Sequence, residues 1–235
     1  MEIRKFHTVV LGSGAAGLTA ALRLRAEGVQ SVAMITEGLQ CGTSINTGSD
    51  KQTYYKLGIC GKDADSPYAL ARSLCGSSAH GDIALVEAAN SVRAFANLVN
   101  LGVPFPRNAY GEFAGYKTDH DPLRRATSCG PYTSREMCRA LMKEVEVRQI
   151  PVFERRVAVQ LVLHDGRAAG VLTCLLDEDK GDFEYFQAEN VVFAVGGPGG
   201  LYAQSVYPAV HTGAIGLALQ AGAEGCSLPE SQYGL

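Results

Sequence analysis

No apolar run in this 235-residue sequence approaches the roughly 20 residues that span a bilayer, so no membrane insertion is expected. Charge of one sign is also scarce. The net charge of −3 gives no basis for nucleic acid or an anionic membrane as a partner. The amino-terminal Met1–Glu2–Ile3–Arg4–Lys5–Phe6–His7 carries charges but no signal-type apolar core follows it, and the expected location is cytoplasmic. The seven cysteines, at 41, 60, 75, 129, 138, 174 and 226, form no CxxC pair and none stands at zinc-ligand spacing with a histidine. No metal site is therefore expected, and most of the thiols read as buried residues of a reducing compartment. With 46% hydrophobic and 19% charged residues the chain reads as globular, and it is long enough to bury a proper core.

The stretch that organises the sequence is Thr8–Val9–Val10–Leu11–Gly12–Ser13–Gly14–Ala15–Ala16–Gly17. Residues of strand character run into Gly12-x-Gly14-x-x-Gly17, which opens an Ala/Leu-rich helical segment reaching about Glu27, with Gly28 at its end. This is the pattern of a dinucleotide-binding βαβ unit. In that reading Gly12 makes the turn, Gly14 lets backbone approach a pyrophosphate, and Gly17 lets the helix pack closely on the strand. The helix N-terminus holds the phosphates through free N–H groups and its dipole. A second apolar run, Val32–Ala33–Met34–Ile35, leads to Glu37, 20 residues after Gly17, where an acid accepts from a ribose hydroxyl pair.

From Gly38 to Ser49 the chain is too polar and glycine-rich for a regular element, and reads as a loop able to press its backbone on a flat ligand. The stretch Lys51–Gln52–Thr53–Tyr54–Tyr55–Lys56 reads either as pocket lining or as helix surface. Asp82 to Leu101 reads as a helix with an apolar stripe of Ile83, Val86, Ala89, Val92, Ala96 and Val99, ended by Gly102. Arg107 to Pro131 shows no period and reads as a long surface excursion, with Arg124 and Arg125 a solvated pair on it. Thr133-x-x-Glu136 is a capping box opening a helix with Met137, Leu141 and Val145 on one face. Ile150–Phe153 fits a strand at an edge or start, given Pro151.

Val157–Leu163 and Ala169–Leu175 flank the turn His164–Arg167, and a third run, Phe183–Gln187, completes a three-stranded antiparallel meander. A separate buried strand, Val191–Val195, then enters Gly196–Gly197–Pro198–Gly199–Gly200. The fold class is α/β: a Rossmann-like domain with a parallel sheet, helices and the meander. Such a meander between Rossmann strands speaks against a plain NAD-binding protein and for a flavoprotein.

The fingerprint Gly12 to Gly17, then Ala194–Val195–Gly196–Gly197, then His211–Thr212–Gly213 before Gly216–Ala223, stand in an order that resembles the FAD-binding portion of the fumarate reductase, succinate dehydrogenase and L-aspartate oxidase flavoprotein family. Leu101–Gly102–Val103–Pro104–Phe105 is similar to another stretch of that family. The resemblance runs along the whole chain, so residues 1–235 are expected to be one FAD-binding domain. It implies FAD as cofactor and a small-molecule substrate for hydride transfer. It also implies that Gly12, Ser13, Gly14, Ala15, Ala16 and Gly17 hold the pyrophosphate, and that Glu37 and Gly38 face the adenosine ribose. Gly42, Thr43, Ser44, Asn46, Thr47 and Gly48 pass along the ribityl chain and isoalloxazine. Ala158 reads adenine through its backbone, and Ala194, Gly196, Gly197 and Gly213 lie beside the cofactor.

Three departures qualify what is carried over. Gly42 stands where the succinate dehydrogenase branch has the histidine that attaches FAD covalently, which implies non-covalent FAD, with Cys41 a bystander thiol. Thr212–Gly213–Ala214 lacks the aspartate usual after that Thr–Gly, and Gly234 stands near the position of a substrate-binding histidine. His211 is read as a structural contact to the cofactor, and no catalytic residue is assigned. The family continues into a capping domain and a last segment that returns to the flavin. The expectation is therefore of a fragment, or of a chain completed by a partner chain. A non-catalytic flavin-binding or assembly module remains the alternative, with an NAD-binding protein behind it.

Overall fold

The computed structural model describes residues 1–47, 52–60, 64–76, 79–119, 121–176, 182–197 and 214–226. The chain forms two compact units, one built from residues 1–47 and 141–224, the other from residues 48–140 and 225–235.

The chain opens with β1 (Glu2–Leu11), whose first half alternates in exposure and whose last four residues, Thr8 to Leu11, are all buried. That change marks where the strand becomes covered on both faces. α1 (Ala15–Ala26) buries Gly17, Leu18, Ala21 and Leu22 as one face, and Gly28, at φ +93°, closes it. β2 (Val32–Ile35) is buried throughout. The loop expected from Gly38 onward contains one short helical turn, α2 (Thr43–Asn46), which the glycine content concealed.

In the second unit β3 (Tyr54–Tyr55) precedes two helices. α3 (Pro67–Cys75) is capped by the Ser66 hydroxyl, which accepts from the Ala69 N–H, with proline at its first position. α4 (Gly81–Asn100) ends at Gly102, φ +93°, as the sequence predicts. Its buried face is different: Ala84, Ala88, Ser91, Phe95 and Leu98 point inward, while Ile83 and Val86 are exposed. Leu70 and Ala71 of α3 pack on Ala84 and Ala88 of α4, small side chains that bring the two helices close. The expected surface excursion holds β4 (Tyr116–Thr118) and β5 (Asp121–Thr127), and with β3 they make a three-stranded antiparallel sheet in the order β3-β5-β4. Lys51–Lys56 is accordingly no helix surface where it is described: Tyr54 and Tyr55 pair with Thr127 and Ala126.

α5 (Thr133–Val147) starts without the predicted capping box. The Thr133 hydroxyl donates to the Gly130 carbonyl and accepts from the Cys129 N–H, while the Glu136 N–H goes to the Tyr132 carbonyl. Thr133, Cys138, Leu141 and Val145 are its buried residues. β6 (Val152–Phe153) follows Pro151 at a sheet edge, then come β7 (Arg156–His164), β8 (Arg167–Leu175), β9 (Phe183–Phe193) and α6 (Ile215–Gln220).

The first unit's sheet runs β6-β2-β1-β9-β8-β7, parallel from β6 to β9 and antiparallel across β8 and β7. The meander is thus part of the main sheet. The third meander run and the separate strand expected after it are one strand, β9. Its first half pairs with β8 and its whole length with β1, from Glu2↔Glu184 to Leu11↔Phe193. Val9, Leu11, Ile35, Val171, Phe186 and Ala188 form the core between these strands.

Candidate functional site: a cleft at the carboxyl ends of three parallel strands

Leu11 of β1 is in register with Ile35 of β2 and with Phe193 of β9, so the three parallel strands end at one level. The Gly12 N–H donates to the Ile35 carbonyl and the Ala194 N–H to the Leu11 carbonyl, both at 2.9 Å, which carries the register one residue past the strands. Gly12 turns at φ +97°, and a Cβ there would run into the Ala194 carbonyl. A Cβ at Gly17 would strike the Gly12 carbonyl, so this glycine sets how closely α1 approaches the turn. Gly14 differs from both. Its φ is −71°, and a Cβ would meet only the Ser44 hydroxyl at 3.3 Å. The fold does not demand glycine there; the space in front of it does.

α1 begins with no side-chain cap, and the Ala15 N–H reaches only the Ser44 hydroxyl at 3.3 Å. The amino end of a 12-residue helix therefore opens onto the cleft with its dipole directed into it, its first donor held only by the Ser44 hydroxyl. Beneath it the Ser13 hydroxyl is buried, 2.8 Å from the Thr36 hydroxyl and 3.0 Å from the Gly38 carbonyl. This contact ties the glycine turn to the end of β2 and fixes the backbone on either side of Glu37. The cleft measures about 800 Å³, within the range of small-molecule sites.

Of the residues the sequence singles out, Gly12, Ser13, Gly14, Ala15 and Ala16 line this cleft on one side and Glu37, Gly42, Thr43 and Ser44 on another. Ala158, Ala194, Gly196 and Gly197 line it from β7 and the end of β9. Gly17 lies behind the turn and Gly38 supports the rim through its carbonyl. Asn46 and Thr47 turn into their own loop. The Asn46 amide donates to the Gln40 and Gly42 carbonyls, and the Thr47 hydroxyl to the Thr43 carbonyl. Gly48, His211, Gly213 and Gly234 lie outside the described residues. Arg156, Val157 and Val159 of β7 and Leu217 of α6 also line the cleft, and the sequence reading missed them. Arg156 sits two residues before Ala158, which was the available signal. Its guanidinium turns to Glu184 and holds that carboxyl below the usual range, assisted by Arg4 after a counteracting effect of burial.

The cleft fits a dinucleotide on its own evidence: an uncapped helix end for phosphate, open space where Gly14 lacks a side chain, and an acid at the second strand's end. The sequence matches the FAD binding domain family over residues 7–233. It is 31% identical over 232 residues to the L-aspartate oxidase of Mesorhizobium japonicum, covering 96% of this chain and 43% of that protein. It is 30% identical over 229 residues to the succinate dehydrogenase flavoprotein subunit of Rickettsia conorii, covering 93% and 38%. The chain thus spans about two fifths of the length of the curated relatives it matches. Among solved structures, the Sdh1 complex of Mycobacterium smegmatis superposes with a TM-score of 0.84 at 23% identity, over 94% of this chain and 39% of that one. The FrdA chain of Escherichia coli quinol fumarate reductase gives 0.82 at 18% identity, over 94% and 37%. Strand ends, glycine turn and sequence agree: this chain belongs to the FAD binding domain family, and its cofactor is FAD.

Proposed function

We propose that this chain is the cofactor-binding part of a flavin-dependent oxidoreductase of the fumarate reductase, succinate dehydrogenase and L-aspartate oxidase type, holding FAD non-covalently and acting on a small organic substrate. The observation that carries the reading is the uncapped amino end of α1, facing a cleft in which Gly14 leaves room for a pyrophosphate. The backbone at Ser13 to Ala16 receives the phosphates, Glu37 accepts from the adenosine ribose, and the backbone of Ala158 meets adenine. Gly42, Thr43 and Ser44 border the flavin side, with Ala194, Gly196 and Gly197 opposite. Bound FAD supplies hydride-transfer chemistry, and the protein supplies orientation and exclusion of water. The relatives' names, L-aspartate oxidase and succinate dehydrogenase flavoprotein, support the reaction class.

Gly42 itself offers no nucleophile, which supports non-covalent binding, although the exposed Cys41 thiol beside it also lines the cleft. The seven cysteines are all free, which supports a cytoplasmic location, but against the expectation of mostly buried thiols only Cys138 is buried, Cys41 and Cys226 being exposed. The substrate side is completed by further sequence of the same protein or by a partner chain. Acid precipitation of FAD-loaded protein tests the binding mode: all yellow colour is expected in the supernatant, and colour kept in the pellet would overturn it, with Cys41 as the first residue to examine.

A further inference from the structure

We infer that Glu154 is a positioning residue for the adenosine-ribose end of the cofactor, acting through the main chain of Gly38 and Leu39. The inference rests on the proposed reading in which Glu37 takes the ribose. Glu154 itself does not line the cleft. It follows β6 directly, and its Oε2 accepts the Leu39 N–H at 2.8 Å, two residues beyond Glu37.

The remaining polar groups around Glu37 are held from other directions. The Glu37 carbonyl accepts the Arg155 N–H at 3.2 Å, and the Thr36 carbonyl accepts the Arg156 N–H at 3.2 Å. The Gly38 carbonyl accepts the Cys41 N–H at 3.0 Å and the proton of one of the Ser13 and Thr36 hydroxyls, which lie 3.0 and 3.2 Å from it and share the other proton between them, while the Gly38 N–H goes to the Thr36 hydroxyl. The Leu39 N–H is where this turn depends on a side chain from beyond β2. The main chain of Glu154 is anchored in turn. The Arg156 guanidinium donates to the Glu154 carbonyl and to the Glu184 carboxylate, and Arg4 donates to Glu184 from β1. A line of contacts therefore runs from the sheet's interior to the backbone that carries Glu37, and Glu154 is its last link. Without the carboxylate the Leu39 N–H is released, and the turn after Glu37 keeps only the contacts that Gly38 makes with Ser13, Thr36 and Cys41.

The test compares Glu154→Ala, Glu154→Gln, Glu37→Gln and the double variant Glu37→Gln/Glu154→Ala in the full chain. Three quantities are measured: FAD affinity by quenching of flavin fluorescence, ADP affinity by competition, and hydrogen exchange of the Leu39 amide without cofactor. Glu154→Ala is expected to speed Leu39 exchange and to weaken FAD and ADP alike, about fivefold. Glu154→Gln, whose amide oxygen still accepts the N–H, is expected to restore both. In the double variant the loss is expected to be less than the product of the single losses, because both residues act on one contact. If Glu37→Gln weakens FAD while Glu154→Ala leaves it unchanged, the inference is overturned and the ribose reading stands. If Glu37→Gln leaves FAD affinity unchanged, the ribose reading fails and the inference with it. Multiplying losses in the double variant would also overturn it.

Discussion

At the scale of single residues, the second unit holds two buried cations that the sequence disguises. Arg125 is 1% exposed. Its guanidinium donates to both Asp65 oxygens at 2.9 and 2.6 Å, to Asp121 at 3.2 Å and to the Ser73 hydroxyl at 2.9 Å. It is a structural ion cluster, where the sequence suggested a solvated pair with Arg124. The bond from Arg125 holds the Asp65 carboxyl below its ordinary 3.8, against an opposing effect of burial. Asp65 therefore contributes stability in full above pH 3.8, and the contribution is lost as pH falls through its folded value. Arg125→Met is expected to cost about 3–5 kcal/mol in urea unfolding, because two carboxylates stay buried without their partner. Arg125→Lys should not restore it, since an ammonium lacks the fork that bridges Asp65.

Lys56 is the opposite case. It is fully buried, its Nζ has no hydrogen-bond partner among the described residues, and it lies 5.0 Å over the Phe95 ring. Burial pushes its amine below 10.5, and a coulombic interaction with Cys60 works the other way. Between the lowered folded value and 10.5 the unfolded chain binds more protons, so stability rises with pH in that window. Lys56→Met keeps the length and removes the unpaired donors. It is expected to stabilise the chain at neutral pH by about 1 kcal/mol, the lost cation–π contact offsetting part of the gain, and to flatten the alkaline rise. A destabilised variant would show that Lys56 has a partner when the protein is in solution.

At the scale of elements, legibility followed the clarity of the period. β1, α1 and β2 were readable because four buried residues, a glycine turn and an Ala/Leu helix come in one uninterrupted order. β5 was not, since Asp121, Pro122, Arg124 and Arg125 mask its strand character, and its burial comes from an ion cluster that no hydrophobic pattern announces. β9 was split in the reading because the polar run Gln187–Ala188–Glu189–Asn190 crosses the middle of one strand. In α4, small Ala84 and Ala88 face α3's side of the core while the larger Ile83 and Val86 stay outside, an inversion that favours close helix approach over apolar area. Asn46 was assigned to the cofactor by motif position, yet its amide serves the Gly42 carbonyl of its own loop. The glycine turn separates fold from binding experimentally. Gly17→Val is expected to cost more than about 3 kcal/mol, because its Cβ strikes the Gly12 carbonyl. Gly14→Val, with only the Ser44 hydroxyl at 3.3 Å to displace, should keep the circular dichroism and melting temperature of the parent while losing FAD about a hundredfold. If Gly14→Val binds FAD as the parent does, the turn is structural only.

At the scale of the whole molecule, the question is whether these 235 residues hold enough to turn over a dicarboxylate. Stabilising and protonating such a substrate takes cationic and acid–base groups within hydrogen-bonding reach of the reacting atoms. Among the described residues lining the cleft, Arg156 is the one cation, and its guanidinium is already committed to Glu184 and to the Glu154 carbonyl. The acid that lines the cleft, Glu37, stands at the end of β2, where the proposed reading gives it to the ribose. Cofactor binding and substrate chemistry are thus expected to separate. The 235-residue chain should bind FAD but show no fumarate reduction when saturated with it. Chemically reduced, FAD-loaded protein mixed anaerobically with fumarate is expected to reoxidise no faster than free reduced FAD, while exposure to oxygen still reoxidises it. Fumarate-dependent turnover above the free cofactor would mean that a cationic group of this chain reaches the substrate. Arg156→Met would then tell whether that group is Arg156 released from Glu184, because the variant would abolish the turnover while leaving residues 12–16 and their hold on the phosphates in place.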